Sequence, residues 1–485
     1  MQPKINLFSL ICSALFVLNI AVFDSKAHAE TLNNGNNPVV SISNIRVKNL
    51  SLKYGLGPEP HVKSVLEVIY KYKNTEGFEE SGTQYQWYIG DSKNGQYTKL
   101  AGIHAKTIIL LKEYIGKYLK CEVTAQDVKG NKAKTVISAS TKTGVLLTDA
   151  NPLTDWFYEA KYGLSHHLLK EFIERSFTPV QEQWDASKQT WSQFIDQFNV
   201  QEYAKQVNET GAKFILLTLN QNSGYYNTPV AAYDKYMRQA GLLKDEDDNP
   251  MTSKRDLPGE IMDELAKYGI KVMLYHPSNP PNRSHWKGND FRVTSEVFHY
   301  TPGQNGAPGD TARQVLNEII SELGARYGEK LAGFWFDGFY KEPASVYLDM
   351  NNVYNISDFA NAAKKGNPYR IIAYNTGWGA PFRKSTPYSD YSAGEDPNLG
   401  SIPSQGRFTD DDCQKMMWGP LGSMYDVHGW GCPGTSKETD FVVNRTDTLN
   451  SLGAVMILDT RVSIFGVLDP KQVAQLLEVK KRVSP

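Results

Sequence analysis

The sequence predicts an α/β fold, a (β/α)8 TIM-like barrel, with a small all-β domain in front of it. Residues 39 to about 140 form short alternating runs of apolar and polar residues between turn signals, a pattern typical of antiparallel strands. After Leu146 the pattern changes to short apolar runs that alternate with amphipathic stretches, which is typical of β–α units around a parallel sheet. About eight such runs fit the ~330 remaining residues, a length suited to a barrel. A doubly wound sheet is the alternative.

The first 29 residues have the pattern of a secretory signal. Lys4 gives a positive start, an apolar run extends from Ile5 to Phe23, and Ala27-His28-Ala29 supplies the cleavage pattern. An uncleaved N-terminal anchor is the alternative, because the apolar run is long. Residues 30–38, rich in Asn and Gly, are predicted to be a linker. Since no later run approaches the roughly 20 apolar residues of a membrane-spanning helix, we expect a secreted or periplasmic protein with no membrane span after cleavage.

Residues 39–145 are predicted to form a β-sandwich with strands in "SVLEVIYKY", "TQYQWYIG", "TIILL" and "KYLKCEVTAQD". Trp87 in mid-strand, and Tyr118 three residues before Cys121, resemble the core of an immunoglobulin-like domain. The second cysteine of that pattern is missing, so packing must replace the disulfide. We expect this domain to act as a spacer or to dock onto its neighbour, with carbohydrate binding as the alternative.

Residues 146–485 are predicted to form the barrel. Helical stretches precede apolar strands in three places: "EYAKQVNETG" before "AKFILLTLN", "EIMDELAKYG" before "IKVMLYH", and "VLNEIISELGARYGEK" before "LAGFWFDGF". The first strand is expected in "KYGLSHH", and later strands in "YRIIAYNTG", "SDYSAGE", "SMYDVHGWG" and "GAVMILDTRV". No glycine-rich phosphate loop follows a strand, so we expect no nucleotide cofactor.

Composition excludes several classes of protein. With 52 Lys+Arg against 53 Asp+Glu there is no basic excess to neutralise phosphates, so nucleic acid is not an expected partner. Twenty-seven Tyr and nine Trp suit surfaces that stack on sugars, although core packing uses most aromatic residues. The three cysteines after the signal are Cys121, Cys413 and Cys432; the last two either pair or stay as free thiols. The sequence leaves the oligomeric state open.

Active-site groups of a barrel lie at the C-terminal ends of its strands. Those positions are polar and aromatic, bear carboxylates and lack lysine, which suits hydrolysis of a neutral glycoside. Asp337 leaves the apolar run "AGFWF", so its charge must face a cavity or a partner; an Asp that caps the next helix is the alternative. Adjacent His166 and His167 cannot face one side of a strand, so no metal site is expected. The strand-end residues are His166, His167, Asn220, Gln221, Asn222, Ser223, His276, Trp335, Asp337, Asn375, Glu395, Asp426, His428 and Asp459.

Five stretches resemble, in chain order, segments of glycoside hydrolase family 29, the retaining α-L-fucosidases. They are "WFYEAKYGLSHH", "FNVQEYAKQVNETGAKFILLTLNQNSGYY", "ELGARYGEKLAGFWFDGF", "SDYSAGE" and "NSLGAVMILDTRVSIFGVLDPKQVAQLLEV". The resemblance implies that His167 binds the sugar and that Asp337 is the nucleophile with Trp335 beside the sugar. It also implies that Glu395 corresponds to the glutamate that ends the matching family segment. Gln221, Asn222, His276 and Asn375 are the further candidates for substrate binding.

Two departures from the family pattern affect the acid/base and the choice of sugar. Residues 220–224 read Asn-Gln-Asn-Ser-Gly where the family has Lys-His-His-Asp-Gly, so the preferred sugar need not be fucose. The Trp-Glu pair that supplies an acid/base in many members is Trp418-Gly419 here. Glu395, His428 and Asp426 or a neighbouring acid remain as candidates; endo-fucanases of a related family use a histidine in this role.

The sequence therefore predicts a secreted, α-L-fucosidase-like retaining glycoside hydrolase without cofactors. Its substrate would be an L-fucoside or related deoxy-sugar glycoside within an oligo- or polysaccharide glycan. One alternative is an endo-acting fucan hydrolase that uses His428. The other is a non-catalytic carbohydrate-binding protein on the same barrel.

Overall fold

The structure is a computed structural model that describes residues 39–483 apart from 53–57, 148–150, 174, 282–291, 302–306, 380, 408–410 and 425–427. The predicted signal peptide, the linker and the acid/base candidate Asp426 lie outside the described residues.

The N-terminal region, residues 39–145 and here called the β-module, contains two antiparallel sheets. Its strands are β1 (Val40–Asn49), β2 (Val65–Asn74), β3 (Gln84–Gly90), β4 (Tyr97–Lys99), β5 (Thr107–Ile109), β6 (Tyr118–Thr124) and β7 (Val136–Ile137). The strand orders are β1-β2-β5 and β4-β3-β6-β7. Trp87 lies directly opposite Cys121 across β3 and β6, and both are fully buried. The predicted strands are confirmed, whereas the immunoglobulin-like topology stays a prediction.

The remainder of the chain, here called the α/β domain, has an all-parallel seven-stranded sheet. Its strands are β8 (Tyr162–His166), β9 (Phe214–Thr218), β10 (Lys271–Pro277), β11 (Leu331–Asp337), β12 (Ile371–Tyr374), β13 (Met416–Pro420) and β14 (Val455–Asp459). The helices are α1 (Asp155–Ala160), α2 (Lys170–Ile173), α3 (Trp191–Ile195), α4 (Val200–Thr210), α5 (Ala231–Gln239), α6 (Leu257–Ala266), α7 (Asp310–Tyr327), α8 (Lys341–Leu348), α9 (Ile356–Lys364), α10 (Thr439–Ser451) and α11 (Pro470–Val483).

Local signals explain how a helix is followed by a strand in this domain. The Asn199 side chain caps the start of α4 by accepting a hydrogen bond from Glu202 N. Gly211 ends the helix in the left-handed conformation, at φ +81°, which glycine adopts without strain. The apolar strand β9 begins three residues later and is fully buried, as a strand covered on both faces should be.

The strand order distinguishes a TIM-like barrel from a doubly wound sheet. Along the sheet the order is β12-β11-β10-β9-β8-β14-β13. Each strand from β9 to β12 therefore lies beside its predecessor in the chain, and the last strand, β14, returns to lie beside the first, β8. A doubly wound sheet would instead reverse direction at a switch point within the sheet. The observed order is the one in which a TIM-like barrel is wound.

Residues 390–396, here called the closing segment, lie between the two edge strands. Asp390 N donates to Ile372 O of β12 (2.8 Å), and further backbone hydrogen bonds join the segment to residues 414–418. Isolated parallel bridges pair Tyr391 with Gln414 and Glu395 with Trp418. The strand predicted in "SDYSAGE" is thus an irregular extended segment. The prediction of a strand in "SMYDVHGWG" is wrong. The strand of this part of the chain is β13, which ends before that run, and residues 428–431 of the run form a turn.

Alternation along the strands separates an inner face from an outer face. Tyr275, Trp335 and Trp418 belong to an apolar cluster that fills the inside of the curled sheet. The residues next to them in sequence, such as Leu274 and Phe334, pack outward against the helices. Cys121, Cys413 and Cys432 are buried free thiols, so Cys413 and Cys432 do not pair. In the described part of the chain, no helix is long and apolar enough to cross a membrane.

Candidate active site

Two carboxylates meet at the C-terminal edge of the parallel sheet. Asp337 is the last residue of β11, and Glu395 lies in the closing segment beside Trp418 of β13. Asn375, directly after β12, lies between them: its Nδ2 donates to Asp337 Oδ1 (2.9 Å) and to Glu395 Oε2 (2.6 Å). The Asn375 Oδ1 accepts from Gly377 N (3.0 Å), which fixes the orientation of the amide. The sequence-predicted residues Asp337, Asn375 and Glu395 are therefore brought together.

The shared amide limits the distance between the two carboxylates. Because Asp337 Oδ1 and Glu395 Oε2 lie 2.9 and 2.6 Å from one nitrogen, these oxygens are at most about 5.5 Å apart. Retaining glycosidases place their two carboxyl groups about 5–5.5 Å apart, whereas inverting enzymes need about 6.5–9.5 Å to admit a water molecule. The limit on the distance between these two oxygens lies below the separation that an inverting site needs.

The environment of Glu395 favours its protonated form. Burial and the nearby charge of Asp337 raise the pKa of Glu395 to about 7, against opposing contributions from Asn375, Trp378 and His167. A carboxyl group that is desolvated beside another carboxylate keeps its proton to higher pH. A carboxylic acid with a pKa near neutrality is suited to deliver a proton to a leaving group.

Asp337 is held as a hydrogen-bond acceptor by groups from three elements. Tyr275 of β10 donates to Oδ2 (2.7 Å), while Tyr340 (3.1 Å) and Asn375 donate to Oδ1. Gln221 Nε2 in turn donates to the Tyr275 hydroxyl (2.7 Å). Burial and the charge of Asp337 raise the pKa of Tyr275 well above its ordinary value, which keeps this hydroxyl a donor. The N-cap residue of the following helix α8 is Tyr340 rather than Asp337.

His167 is oriented by a buried carboxylate at the end of β14. Its Nδ1 lies 2.8 Å from Asp459 Oδ1, and its ring stacks on Trp418 with 5.8 Å between ring centres. Asp459 also accepts from Ser165 Oγ (2.8 Å) and Gly431 N (2.7 Å). With Asp459 accepting from the Nδ1–H, the His167 Nε2 is the nitrogen left to meet a ligand.

His428 lies at the rim of the site rather than beside the carboxylates. It is exposed, and its ring contacts the exposed Trp378 edge-on, with 4.8 Å between ring centres. Trp378 itself reaches Glu395, since its hydrogen bond contributes to the pKa of that carboxyl. Asn222 is half-buried in the turn after β9, next to Gln221.

The placement of His276 corrects the prediction that it contacts the sugar. Tyr275 takes the inner face, so the alternation of β10 turns His276 outward, where it is fully buried. Its Nδ1 donates to Pro277 O (2.7 Å) and its Nε2 accepts from the Tyr226 hydroxyl (2.9 Å). Burial lowers the pKa of His276 to about 4, so the ring stays neutral and is fully used by the protein.

Trp335 lies lower in the same inner face than Asp337. It is fully buried, stacks on Tyr275 and donates its Nε1–H to Ala393 O (2.9 Å). It therefore supports Tyr275 and the closing segment from within the curled sheet. Sequence reasoning did not find Tyr275, Tyr340, Trp378 or the role of Asp459. Only the period-two alternation of "VMLYH", which puts Tyr275 in line with the inner face, could have indicated the first of these.

Among the described residues, no cluster of three or more His, Cys, Asp or Glu side chains has a geometry that could hold a metal ion. A cavity of about 750 Å³ lies elsewhere, between the β-module and helices α7 and α9, and none of the predicted site residues lines it.

A TIM-like sheet with paired carboxylates at the C-terminal ends of its strands is an arrangement that glycoside hydrolases use. The family model for α-L-fucosidases matches residues 132–483, most of the chain. The chain belongs to the α-L-fucosidase family.

Individual relatives are more distant. The tissue α-L-fucosidase of Rattus norvegicus is 26% identical over 152 residues, which cover 26% of this chain and 30% of that protein. Among solved structures, α-L-fucosidase isoenzyme 1 from Paenibacillus thiaminolyticus is 17% identical, with a TM-score of 0.48, and the match covers 69% of this chain and 76% of that one. An endo-fucoidan hydrolase of glycoside hydrolase family 107 is 16% identical, with a TM-score of 0.47, over 68% of this chain and 53% of that one. The chain thus spans less than a third of the curated relative.

Proposed function

We propose that this chain is an exported retaining glycoside hydrolase that cleaves α-L-fucosides or related deoxy-sugar glycosides within a glycan. The observation that supports this most is the single amide nitrogen of Asn375, which joins Asp337 and Glu395 and holds them within about 5.5 Å. The sugar class comes from membership of the α-L-fucosidase family. We also infer that the parallel sheet is a (β/α)8 barrel closed by residues 390–396.

The proposed reaction uses the two carboxylates in succession. A carboxylate oxygen of Asp337 attacks the anomeric carbon while the bond to the leaving oxygen breaks, and Glu395 gives its proton to that oxygen. The glycosyl–Asp337 ester is then hydrolysed: Glu395, now ionised, takes a proton from water, and the water oxygen attacks the anomeric carbon and releases Asp337. Tyr275, Tyr340 and Asn375 orient the nucleophile by donating to it.

Sugar binding is assigned to side chains around this pair. His167 offers Nε2, while Gln221 and Asn222 offer amide groups on the turn after β9. An amide both donates and accepts, so this turn can bind hydroxyl groups in a different donor–acceptor pattern from the histidines of the family. The exposed indole of Trp378 is placed to contact the leaving group beside Glu395.

The second candidate is an endo-acting fucan hydrolase with His428 as the acid/base. The contact between His428 and Trp378 at the rim favours it, because this rim lies next to the carboxylates. Glu395 remains the first choice because it is within hydrogen-bond reach of the amide that also holds Asp337.

The test is to trap the proposed intermediate. A panel of 2-fluoro glycosides with activated leaving groups is incubated with the protein, and the labelled peptide is identified by mass spectrometry. We expect a 2-fluoro-fucosyl adduct on Asp337, no adduct in Asp337→Asn, and normal labelling in the control Asp263→Asn, a surface carboxylate paired with Lys330. Labelling of another carboxylate, or normal turnover by Asp337→Asn, contradicts the proposal.

A further inference from the structure

A lysine of the β-module is buried at the start of the closing segment. The Lys63 side chain is only 2% exposed, and its Nζ donates to Ser389 O (3.0 Å) and lies 3.4 Å from Asp390 Oδ1. A second buried lysine, Lys364 at the end of α9, lies 3.1 Å from Asp390 Oδ2. Burying an ammonium group is costly unless it is paired. The two parts of the chain therefore share one buried ionic cluster.

The backbone at Lys63 is held in an unfavourable conformation to make this contact. Its φ is +71°, in the left-handed region that side chains other than glycine rarely adopt. The Lys63 N–H donates to Leu110 O (2.7 Å), directly after β5, and this bond fixes the residue on the sheet. Strain of this kind persists where the surrounding structure demands it. The residue with this strained backbone is also the one whose side chain enters the α/β domain.

Asp390 connects Lys63 to the parallel sheet. One carboxylate oxygen accepts from Ile372 N of β12 (3.1 Å), and the other accepts from Asn151 Nδ2 (3.2 Å). Although burial would raise the pKa of Asp390, the charges of Lys364 and Lys63 hold it below its ordinary value. The ionised carboxylate therefore anchors the closing segment to β12 at the end opposite Glu395.

The closing segment connects this anchor to Glu395 over five residues. Backbone hydrogen bonds hold it along its length: Gln414 N donates to Asp390 O, and Trp418 N donates to Gly394 O, directly before Glu395. Asp390 and Glu395 therefore lie on one hydrogen-bonded segment, and a displacement at Asp390 is expected to shift Glu395 relative to Asp337. Catalytic groups lose much of their effect when they are displaced by about 1 Å.

We propose that Lys63 is a positioning residue for Glu395, so that the β-module completes the acid/base half of the active site. The proposal rests on the proposed function in one respect, the role of Glu395 as acid/base. The proposal explains why a buried charge of the β-module contacts the α/β domain.

The test compares Lys63→Met with a matched control, Thr107→Val, in the full chain. Thr107 Oγ1 donates to Asn361 Oδ1 (2.7 Å), so this control removes another hydrogen bond between the β-module and the α/β domain without touching the closing segment. Hydrolysis of an activated aryl fucoside, which needs little protonation, is compared with hydrolysis of a fucosylated oligosaccharide, which needs much. For Lys63→Met we expect kcat/KM, which reports formation of the intermediate, to fall roughly 10- to 100-fold on the oligosaccharide and less than about threefold on the aryl substrate. Thr107→Val is expected to change both alike, and Lys63→Arg to restore the wild-type ratio.

Hydrogen exchange gives a readout that does not depend on activity. In Lys63→Met the amides of residues 391–395 should exchange faster than in wild type, while in Thr107→Val they should not. An unchanged substrate ratio in a folded Lys63→Met, or unchanged exchange in this segment, overturns the proposal. If Lys63→Met does not fold, Lys63→Gln is judged by the same two measurements. If the wild type cleaves neither substrate, the proposed function is wrong. Hydrogen exchange of residues 391–395 then decides alone whether Lys63 positions the closing segment.

Discussion

Single side chains distinguish the two candidates for the acid/base of the proposed mechanism. Glu395 is buried beside Asp337 with a pKa raised to about 7, whereas His428 is exposed at the rim. Only the protonated form of Glu395 can assist the leaving group, so hydrolysis of natural glycosides should fall as the pH rises above about 7, by roughly tenfold per unit. The groups facing Glu395 are Asp337, His167, Asn375 and Trp378, and only Asp337 adds to the upward shift.

We predict that Glu395→Ala lowers the rate of cleavage of natural glycosides by roughly 10²–10⁴-fold. The same change should spare formation of the intermediate from an activated aryl glycoside. Added azide should then restore turnover, because it attacks the intermediate without base assistance. Steady-state rates with and without azide measure this effect, and the alkaline fall in rate should disappear. His428→Ala is the matched comparison, and azide rescue in that variant alone would transfer the role to His428.

His276 has a stabilising role that depends on pH. Its folded-state pKa is lowered to about 4 by burial, from an ordinary value near 6.5. The unfolded chain therefore binds a proton more readily, so the stability is complete above pH 6.5 and is lost as the pH falls toward 4. We predict that about 3 kcal/mol of the free energy of unfolding is lost over this window through His276.

Urea unfolding of wild type and His276→Gln at several pH values measures this prediction. Glutamine does not titrate, so the difference in stability between the two proteins should shrink as the pH falls from 7 to 4. The buried His166, with a similarly lowered pKa, is present in both proteins and cancels from the comparison. A constant difference across this range would show that His276 does not titrate as expected.

Among the elements, the closing segment depends on a glycine directly before Glu395. Gly394 has φ +73°, and a Cβ there would lie 2.3 Å from Met416 O and 2.6 Å from Met416 Sδ. We predict that Gly394→Ala lowers the free energy of unfolding by more than about 2 kcal/mol and reduces activity, since the segment must move away from β13. Gly379→Ala is the control: its φ is +84° but nothing lies within 4 Å, so only the conformational cost of about 1–2 kcal/mol applies. Thermal unfolding and kcat/KM measure the contrast, and equal effects in both variants would contradict it.

The elements also show how far the sequence alone could lead. Helix–strand pairs such as α4–β9 and α6–β10 were predictable, because local caps, periodicity and apolar runs all favoured the same structure. Asp337, Asn375 and Glu395 were found from their positions at strand ends. The inner or outer direction of a strand-end residue is set by register, which is why His276 was misplaced and Tyr275 missed. The position of β13 was predicted wrongly, because polar and aromatic residues of a loop have the same pattern as a short strand.

Over the whole molecule, the two regions with different sequence patterns do not have separate cores. Val62, Val65 and Leu66 of the β-module belong to the same apolar cluster as the outward-facing residues of the parallel sheet. Polar contacts add to it: Asn355 Nδ2 donates to Gly102 O (2.7 Å) and Tyr369 to Leu50 O (3.1 Å). A boundary placed at residue 145 from the change in pattern therefore does not mark a unit expected to fold alone.

We predict that a variant lacking residues 39–145 is insoluble or melts at a clearly lower temperature than the full chain. Its α/β domain would expose the apolar surface that the β-module covers, and Asp390 would lose the charge of Lys63 while Lys364 remained beside it. Soluble yield, thermal unfolding and hydrolysis of an activated aryl fucoside are the measurements. Because formation of the intermediate from that substrate needs little acid assistance, a folded fragment should keep much of kcat/KM on it and lose mainly the cleavage of natural glycosides. A soluble fragment with the melting temperature of the full chain and undiminished activity on both substrates would show instead that the β-module is an independent attachment.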